Sequence, residues 1–156
     1  MTYYNNNYLV SLDVAKRLNR LQYSEFSMYH YIIDKKDDTS IVVAFGSPKQ
    51  SIEIKNYKSI NAPSQSELIK QISNKFKLLV NVSPFKINYY KGEYLNGYKI
   101  VYSYEIFDIS DPNKTDWIVI DYIGNHEHCF ETYEDATDAA LFDVLGIVEE
   151  RYVVWK

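Results

Sequence analysis

Residues 130–150, FETYEDATDAALFDVLGIVEE, carry the longest unbroken helical period in the chain. Thr132 is a favourable N-cap, and Asp135 follows three residues later in a variant of the capping box, where the helix dipole favours acidic side chains. The segment therefore predicts a helix that begins after Thr132. Gly146 interrupts the pattern and costs about 1 kcal/mol relative to Ala in a helix interior, so the sequence leaves the end of this helix open.

At about 100° per residue, most apolar side chains of this helix share one arc, which is predicted to be a core face: Tyr133, Ala136, Ala140, Leu141, Val144, Leu145, Ile147 and Val148. The opposite arc carries only acidic charge, and Phe142 falls in its middle. An aromatic ring with a polar rim is typical of a binding anchor. The predicted partner-binding residues are Asp135, Asp138, Phe142 and Asp143.

A second explanation of Phe142 stays open at this point. The apolar segment 152–155, YVVW, could fold back over the ring and make it part of a second small core. The acidic arc itself has a simpler explanation too, because a solvated charged face keeps a protein soluble. If the ring is exposed, we expect carboxylates to steer a basic partner toward it.

The length and composition limit the class of protein. A chain of 156 residues is long enough to bury a core as one domain, so we expect a single domain over 1–156. The one cysteine, Cys129, excludes an internal disulfide framework. The start MTYYNNNYLV is unlike a signal peptide, and no apolar run approaches the ~20 residues that span a bilayer. We expect a cytoplasmic protein without a membrane span.

Charge is distributed unevenly along the chain. The formal net charge is −4, yet the segment 105–150 holds 13 acidic residues and one basic residue, Lys114. An acidic surface repels nucleic acid and favours basic partners. We therefore expect a basic protein as the partner, and we expect nucleic acid to be disfavoured.

The remaining segments predict two further helices and a set of strands. Ser11 caps an amphipathic helix in LDVAKRLNRLQY, and Ser64 with Glu67 forms a capping box ahead of a helix over about 65–76. Segments 27–33 and 39–45 predict an N-terminal hairpin, with a turn between them. LLVNV, FKINYY, YKIVYSYEIFD and WIVIDY predict a meander of three to four antiparallel strands.

These elements predict an α+β fold, in which an antiparallel sheet packs against about three helices. The core is expected to include one or two residues from each main element: Leu18, Ile72, Ile100, Ile118, Leu141 and Leu145. Along 98–107, apolar and polar side chains do not alternate cleanly, so both faces of that strand are partly apolar.

Three stretches taken together resemble a known group: LVSLDVAKRLNRLQYSE, APSQSELIKQISNKFKLLV and FETYEDATDAALFDVL. The group consists of small uncharacterised proteins encoded by phages and integrated elements of gut bacteria. Its opening helix ends in a Gly-aromatic pair, where this chain has Gln22 and Tyr23, and its middle helix contains a Trp that this chain lacks. The resemblance implies a mobile-element origin and no particular activity.

The order helix, three strands, helix over about 64–149 also resembles the double-stranded-RNA-binding domain. That family contacts phosphate through a Lys cluster at the start of its last helix and a His in a strand loop. Here the corresponding segments are TYEDATD, which is acidic, and KGEYLNG, which has no His. Since topology alone does not carry function, RNA binding is disfavoured.

Catalytic chemistry has one weak candidate. His126 and His128 lie two residues apart and could bind zinc from a strand, with Cys129 or Asp121 adding a ligand. A small metal-dependent hydrolase is therefore an alternative, although a loop before the last helix explains the same residues. With five Gly in the chain, no G-x-S-x-G elbow, no P-loop and no G-x-G-x-x-G motif occurs. We expect no enzyme activity, no metal and no cofactor.

Weak nucleic-acid binding is the remaining alternative. The first helix carries Lys16, Arg17 and Arg20 on one face. Aromatic and basic side chains recur further along, at Lys49, Lys55, Tyr57, Lys58, Tyr89 and Tyr90. Such surfaces can stack single-stranded bases, but an ordinary Lys-rich surface explains the pattern more simply. The favoured interpretation is a non-catalytic protein-binding module that uses the acidic C-terminal helix.

Overall fold

A computed structural model describes residues 8–23, 25, 27–49, 53–120 and 129–152. The described residues form three helices and two antiparallel sheets, which confirms the predicted α+β class. The helices are α1 (Leu12–Arg20), α2 (Gln65–Phe76) and α3 (Tyr133–Arg151). The strands are β1 (Ser27–Asp34), β2 (Ser40–Lys49), β3 (Glu53–Ile54), β4 (Tyr57–Asn61), β5 (Leu78–Lys91), β6 (Tyr94–Asp111) and β7 (Lys114–Ile120).

The chain divides into two compact units. The first comprises Met1–Lys70 with Leu145–Lys156, and the second comprises Gln71–Val144. The boundaries fall inside α2 and α3, so each of these helices contributes residues to both units. A single domain over 1–156 stays a prediction, because the division into two compact units does not test it.

The first unit contains a four-stranded sheet in the order β2-β1-β4-β3. The predicted N-terminal hairpin is present as β1 and β2, which pair from Ile33↔Ser40 outward. Ser11 caps α1 as expected, since its side chain accepts a hydrogen bond from the Val14 amide at 3.3 Å. The amphipathic pattern of α1 places three residues in the core: Val14, Ala15 and Leu18.

His30 is a fully buried polar residue in this unit. Its Nε2 lies 3.1 Å from the carbonyl oxygen of Ser27, and its Nδ1 lies 3.0 Å from the hydroxyl of Ser59. Because a carbonyl only accepts, Nε2 carries the proton, and Nδ1 of the neutral ring then accepts from the Ser59 hydroxyl. Both ring nitrogens are satisfied by neutral groups, as a buried imidazole requires.

The second unit contains the predicted meander, a three-stranded sheet in the order β5-β6-β7. A two-residue turn joins β5 to β6, because Lys91 pairs with Tyr94. Gly92 takes a positive φ of 63° there and Glu93 does not, which is the pattern of a type II′ hairpin turn. The turn is therefore centred on Gly92 and Glu93.

The core prediction holds for the helices and fails for the strands. Leu18, Ile72, Leu141 and Leu145 are buried. Ile100 is 45% exposed and Ile118 is half-buried, so their predicted burial was wrong. The exposure of these two side chains follows from their positions in the sheet. Ile100 lies toward the far end of a strand of 18 residues, and Ile118 lies on the edge strand β7.

Candidate binding surface

The start of α3 is fixed by two contacts. The Thr132 hydroxyl accepts a hydrogen bond from the Asp135 amide at 3.1 Å, which confirms the predicted N-cap. Just before the helix, Phe130 forms an isolated antiparallel bridge with Tyr102 of β6, with both N–O distances at 2.9 Å. The helix then continues past Gly146 to Arg151, so Gly146 does not end it.

The buried side of α3 follows the predicted arc except at Tyr133 and at Ile147, which is half-buried. Ala136, Ala140, Leu141, Val144, Leu145 and Val148 are fully buried. Tyr133 was placed on this arc, but it is 46% exposed. Its ring instead packs edge-on against Tyr102 at a centroid distance of 6.1 Å, because Tyr133 lies in the first turn.

The predicted anchor lies on the opposite side of α3. Phe142 leaves 40% of its surface exposed, although Leu141 beside it is completely buried. Asp135 and Asp143 are exposed, and Asp138 is half-buried. The four predicted site residues therefore share one helix, and Phe142 is partly accessible among three carboxylates. We call Asp135, Asp138 and Phe142 the acidic face.

Asp143 differs from the other members of the predicted set. Its carboxylate accepts a hydrogen bond from the hydroxyl of Tyr104, a buried residue of β6. Buried phenol groups need a hydrogen-bond partner, and Asp143 supplies one. This contact fastens α3 to the sheet, so the structure gives Asp143 a positioning role beside the acidic face.

An ion pair also joins β6 to the residues just before α3. Lys99 donates a hydrogen bond to the Glu131 carboxylate. This hydrogen bond, followed by the attraction of the Lys99 charge, lowers the pKa of Glu131 below its usual 4.5. The same hydrogen bond raises the pKa of Lys99 above its usual 10.5.

A larger apolar surface was missed by the sequence interpretation. It lies on one face of the β5–β6 hairpin and consists of Tyr90, Leu95, Tyr98 and Ile100, which are 64%, 60%, 64% and 45% exposed. We call these four residues the hairpin face. Of these residues, Tyr90 had been singled out as part of a possible basic surface and Ile100 as a core residue.

A bulge in β6 brings these side chains to the same side. Tyr89 pairs with Gly97, and the next residue, Tyr90, pairs with Leu95, so β6 holds one extra residue, Asn96. Side chains alternate along a strand, and Leu95 and Tyr98 would lie on opposite faces without the extra residue. With it, Tyr98 and Ile100 join Leu95 and its partner Tyr90.

The helix covers only the inner part of this sheet face. Going inward from Ile100, the same face of β6 presents Tyr102, which contacts Tyr133, and then Tyr104, which is bonded to Asp143. The only charged side chain on the outer part is Lys86, which pairs with Ile100 and places its Nζ 4.5 Å from the centroid of the Tyr98 ring. The signal in the sequence was the set of large apolar residues at 90, 95, 98 and 100 on either side of the predicted turn.

The residues of the alternative metal site are only partly described. His126, His128 and Asp121 lie outside the described residues, and Cys129 is half-buried. Among the residues that the structure does describe, no three His, Cys, Asp or Glu side chains gather where they could hold a metal.

The basic surface of α1 is partly neutralised. Lys16 forms an ion pair with Asp38 at 2.9 Å, and Arg17 forms one with Glu149 at 3.0 Å. Phosphate binding depends on cations that can exchange their counterions for phosphate groups. Two of the three predicted cations already have carboxylate partners.

In the described part of the chain, no helix has the length and apolar character that crossing a membrane requires. No family model, no curated protein and no solved structure matches the chain.

Proposed function

We propose that this protein is a cytoplasmic, non-catalytic protein-binding module, in the phage or mobile-element setting that the resemblance implies. Its contact surface is the acidic face of α3, and its partner is a basic protein. The observation that carries the proposal is the contrast between neighbouring residues of α3, in which Leu141 is fully buried and Phe142 is 40% exposed.

The chemistry of the acidic face supports a basic partner. The helix carries six carboxylates and a single cation, Arg151, in its last turn. An exposed aromatic ring gives a large apolar contact at a small loss of side-chain entropy, and carboxylates around it steer a cationic partner. The ring supplies affinity and the carboxylates supply association rate and selectivity.

Site-specific photocrosslinking tests this proposal. A benzophenone amino acid replaces Phe142 in one protein and Tyr57 in a control, since Tyr57 is similarly exposed, at 44%, but lies on β4. Each protein is irradiated in lysate of the organism that encodes the chain. We expect basic proteins to be captured at position 142 only, and in lower yield as salt rises, because salt screens exposed charges.

Neutralising the carboxylates sharpens the test. Asp135→Asn with Asp138→Asn, introduced beside the crosslinker, should reduce capture at position 142. Capture of the same proteins at positions 57 and 142, or capture that is unchanged by these two substitutions, would overturn the proposal.

A further inference from the structure

The hairpin face has the size and composition of half of a dimer interface. At ~200 Å² for a large apolar side chain, the exposed fractions of its four residues leave about 450 Å² of apolar surface uncovered. A standard interface buries ~800 Å² per partner, of which somewhat more than half is apolar. The uncovered apolar area of the hairpin face is therefore close to the apolar area that one partner contributes to such an interface.

The face also lacks the charge pattern of a surface that recognises a dissimilar partner. Its one charged residue is Lys86, whose ammonium lies against the ring of Tyr98. Interface centres are depleted in charged residues, and interfaces between identical chains are the most apolar. Two copies of this face can meet without opposing carboxylates, and each Lys86 stays on its own ring.

The thickness of a helix and the spacing of stacked sheets indicate what could cover the hairpin face. Over the inner rows of the sheet, α3 fills a layer about 10 Å thick, since that is the diameter of a helix. Over the outer rows this layer is uncovered, as the exposure of Tyr98 and Ile100 shows. Two stacked sheets also lie ~10 Å apart, so a second hairpin would occupy the same layer beside α3.

The outer edge of β5 is poorly suited to pairing with a strand of another molecule. Tyr102 directs its N–H and C=O groups to Phe130, so its pair with Pro84 has no hydrogen bonds between the two strands. Pro84 therefore faces the outer edge of β5, where it removes the donor that another strand would need. At this edge, face-to-face packing is therefore favoured over strand addition.

We propose that the protein forms a symmetric homodimer in which the hairpin face of one copy packs on the same face of the second. The contact is isologous, so it closes with two copies and exposes no further binding surface. The acidic face of α3 is not part of this contact, and the dimer is independent of the proposed basic partner.

Sedimentation velocity of the purified chain tests the dimer. We expect a species of twice the 18.4 kDa chain mass that dissociates over a micromolar range and is little affected by salt, because the contact is apolar. Leu95→Ser with Tyr98→Ser should weaken the dimer by at least about tenfold. Circular dichroism should show an unchanged fold, since both side chains are more than half exposed.

Tyr94→Ser is the matched control. Tyr94 is the most exposed aromatic residue of the hairpin at 82%, but it neighbours Leu95 and so lies on the opposite face. Its replacement should change the dissociation constant by less than about twofold, since surface changes outside a contact have small effects. A chain that stays monomeric at ~100 μM, or a dimer that Tyr94→Ser weakens as much as the double substitution, would overturn the proposal.

Discussion

Arg17 of α1 reaches Glu149 of α3 across the surface of Gly146. Its Nε and Nη2 donate to the same carboxylate oxygen at 3.2 and 3.0 Å. A Cβ atom at position 146 would lie 3.0 Å from Nη2 of Arg17 and 3.4 Å from its Cζ. Gly146, which only interrupts the helical pattern in the sequence, is therefore the residue over which the arginine passes.

Replacing Gly146 by Ala should stabilise the chain by less than its helix propensity offers. Ala is favoured by about 1 kcal/mol in a helix interior, but its methyl group would displace the Arg17 side chain. We expect a gain under about 0.5 kcal/mol in the natural sequence and about 1 kcal/mol when Arg17 is also replaced by Ala. Urea unfolding of the four proteins measures the difference. Equal gains in the two backgrounds would show that the close approach is not significant.

Gln22→Gly should stabilise the end of α1. Gln22 has a φ of 57°, and both hydrogen bonds of a Schellman motif are present: the Tyr23 amide donates to the Leu18 carbonyl at 3.0 Å, and the Gln22 amide donates to the Asn19 carbonyl at 3.2 Å. A residue with a Cβ is strained there, and Gly is not, so we expect a gain of about 0.5–1 kcal/mol in the free energy of unfolding.

Arg20→Gly provides the control for this change, two residues earlier. Arg20 is exposed and within the helix, where Gly should cost about 1 kcal/mol. If both substitutions destabilise the protein equally, the left-handed end of α1 is not present in solution.

The ion pair between Lys99 and Glu131 should affect stability in a defined pH window. The pKa of Glu131 is lowered, so its contribution is present above its usual value of 4.5 and is lost as pH falls through the lowered pKa. The pKa of Lys99 is raised, so its contribution is present below 10.5 and is lost as pH rises through the raised pKa. Carbon-detected NMR titration should find the Glu131 pKa below 4.5 and Lys99→Ala should return it toward that value. A pKa that does not respond to Lys99→Ala would contradict the pair.

The sequence predicted the helices well because their signals are local. The N-caps at Ser11 and Thr132 and the 3.6-residue period of α3 depend only on neighbours in the chain, and the buried sides of these helices follow from the same period. The αL conformation of Gln22 could not be predicted in this way, because Gln has no preference for it.

The hairpin face could not be predicted because it depends on distant residues. Tyr102 and Ile100 have the same position in the β6 alternation, yet Tyr102 is covered by Tyr133 and Ile100 is not. How far a helix extends over a sheet is set by tertiary packing. The bulge at Asn96 also reverses the alternation for Leu95, so a strict period of two assigns that residue to the wrong face.

The free energies of unfolding of Leu141→Ala and Phe142→Ala test the central claim most directly, since the acidic face depends on the orientation of α3. Leu141 is completely buried, so its loss should cost about 2–5 kcal/mol. Phe142 is 40% exposed on the other side of the helix, and its replacement should cost about 1 kcal/mol. A loss of about 3 kcal/mol or more for Phe142→Ala would place the ring in a core and contradict its role as a binding anchor.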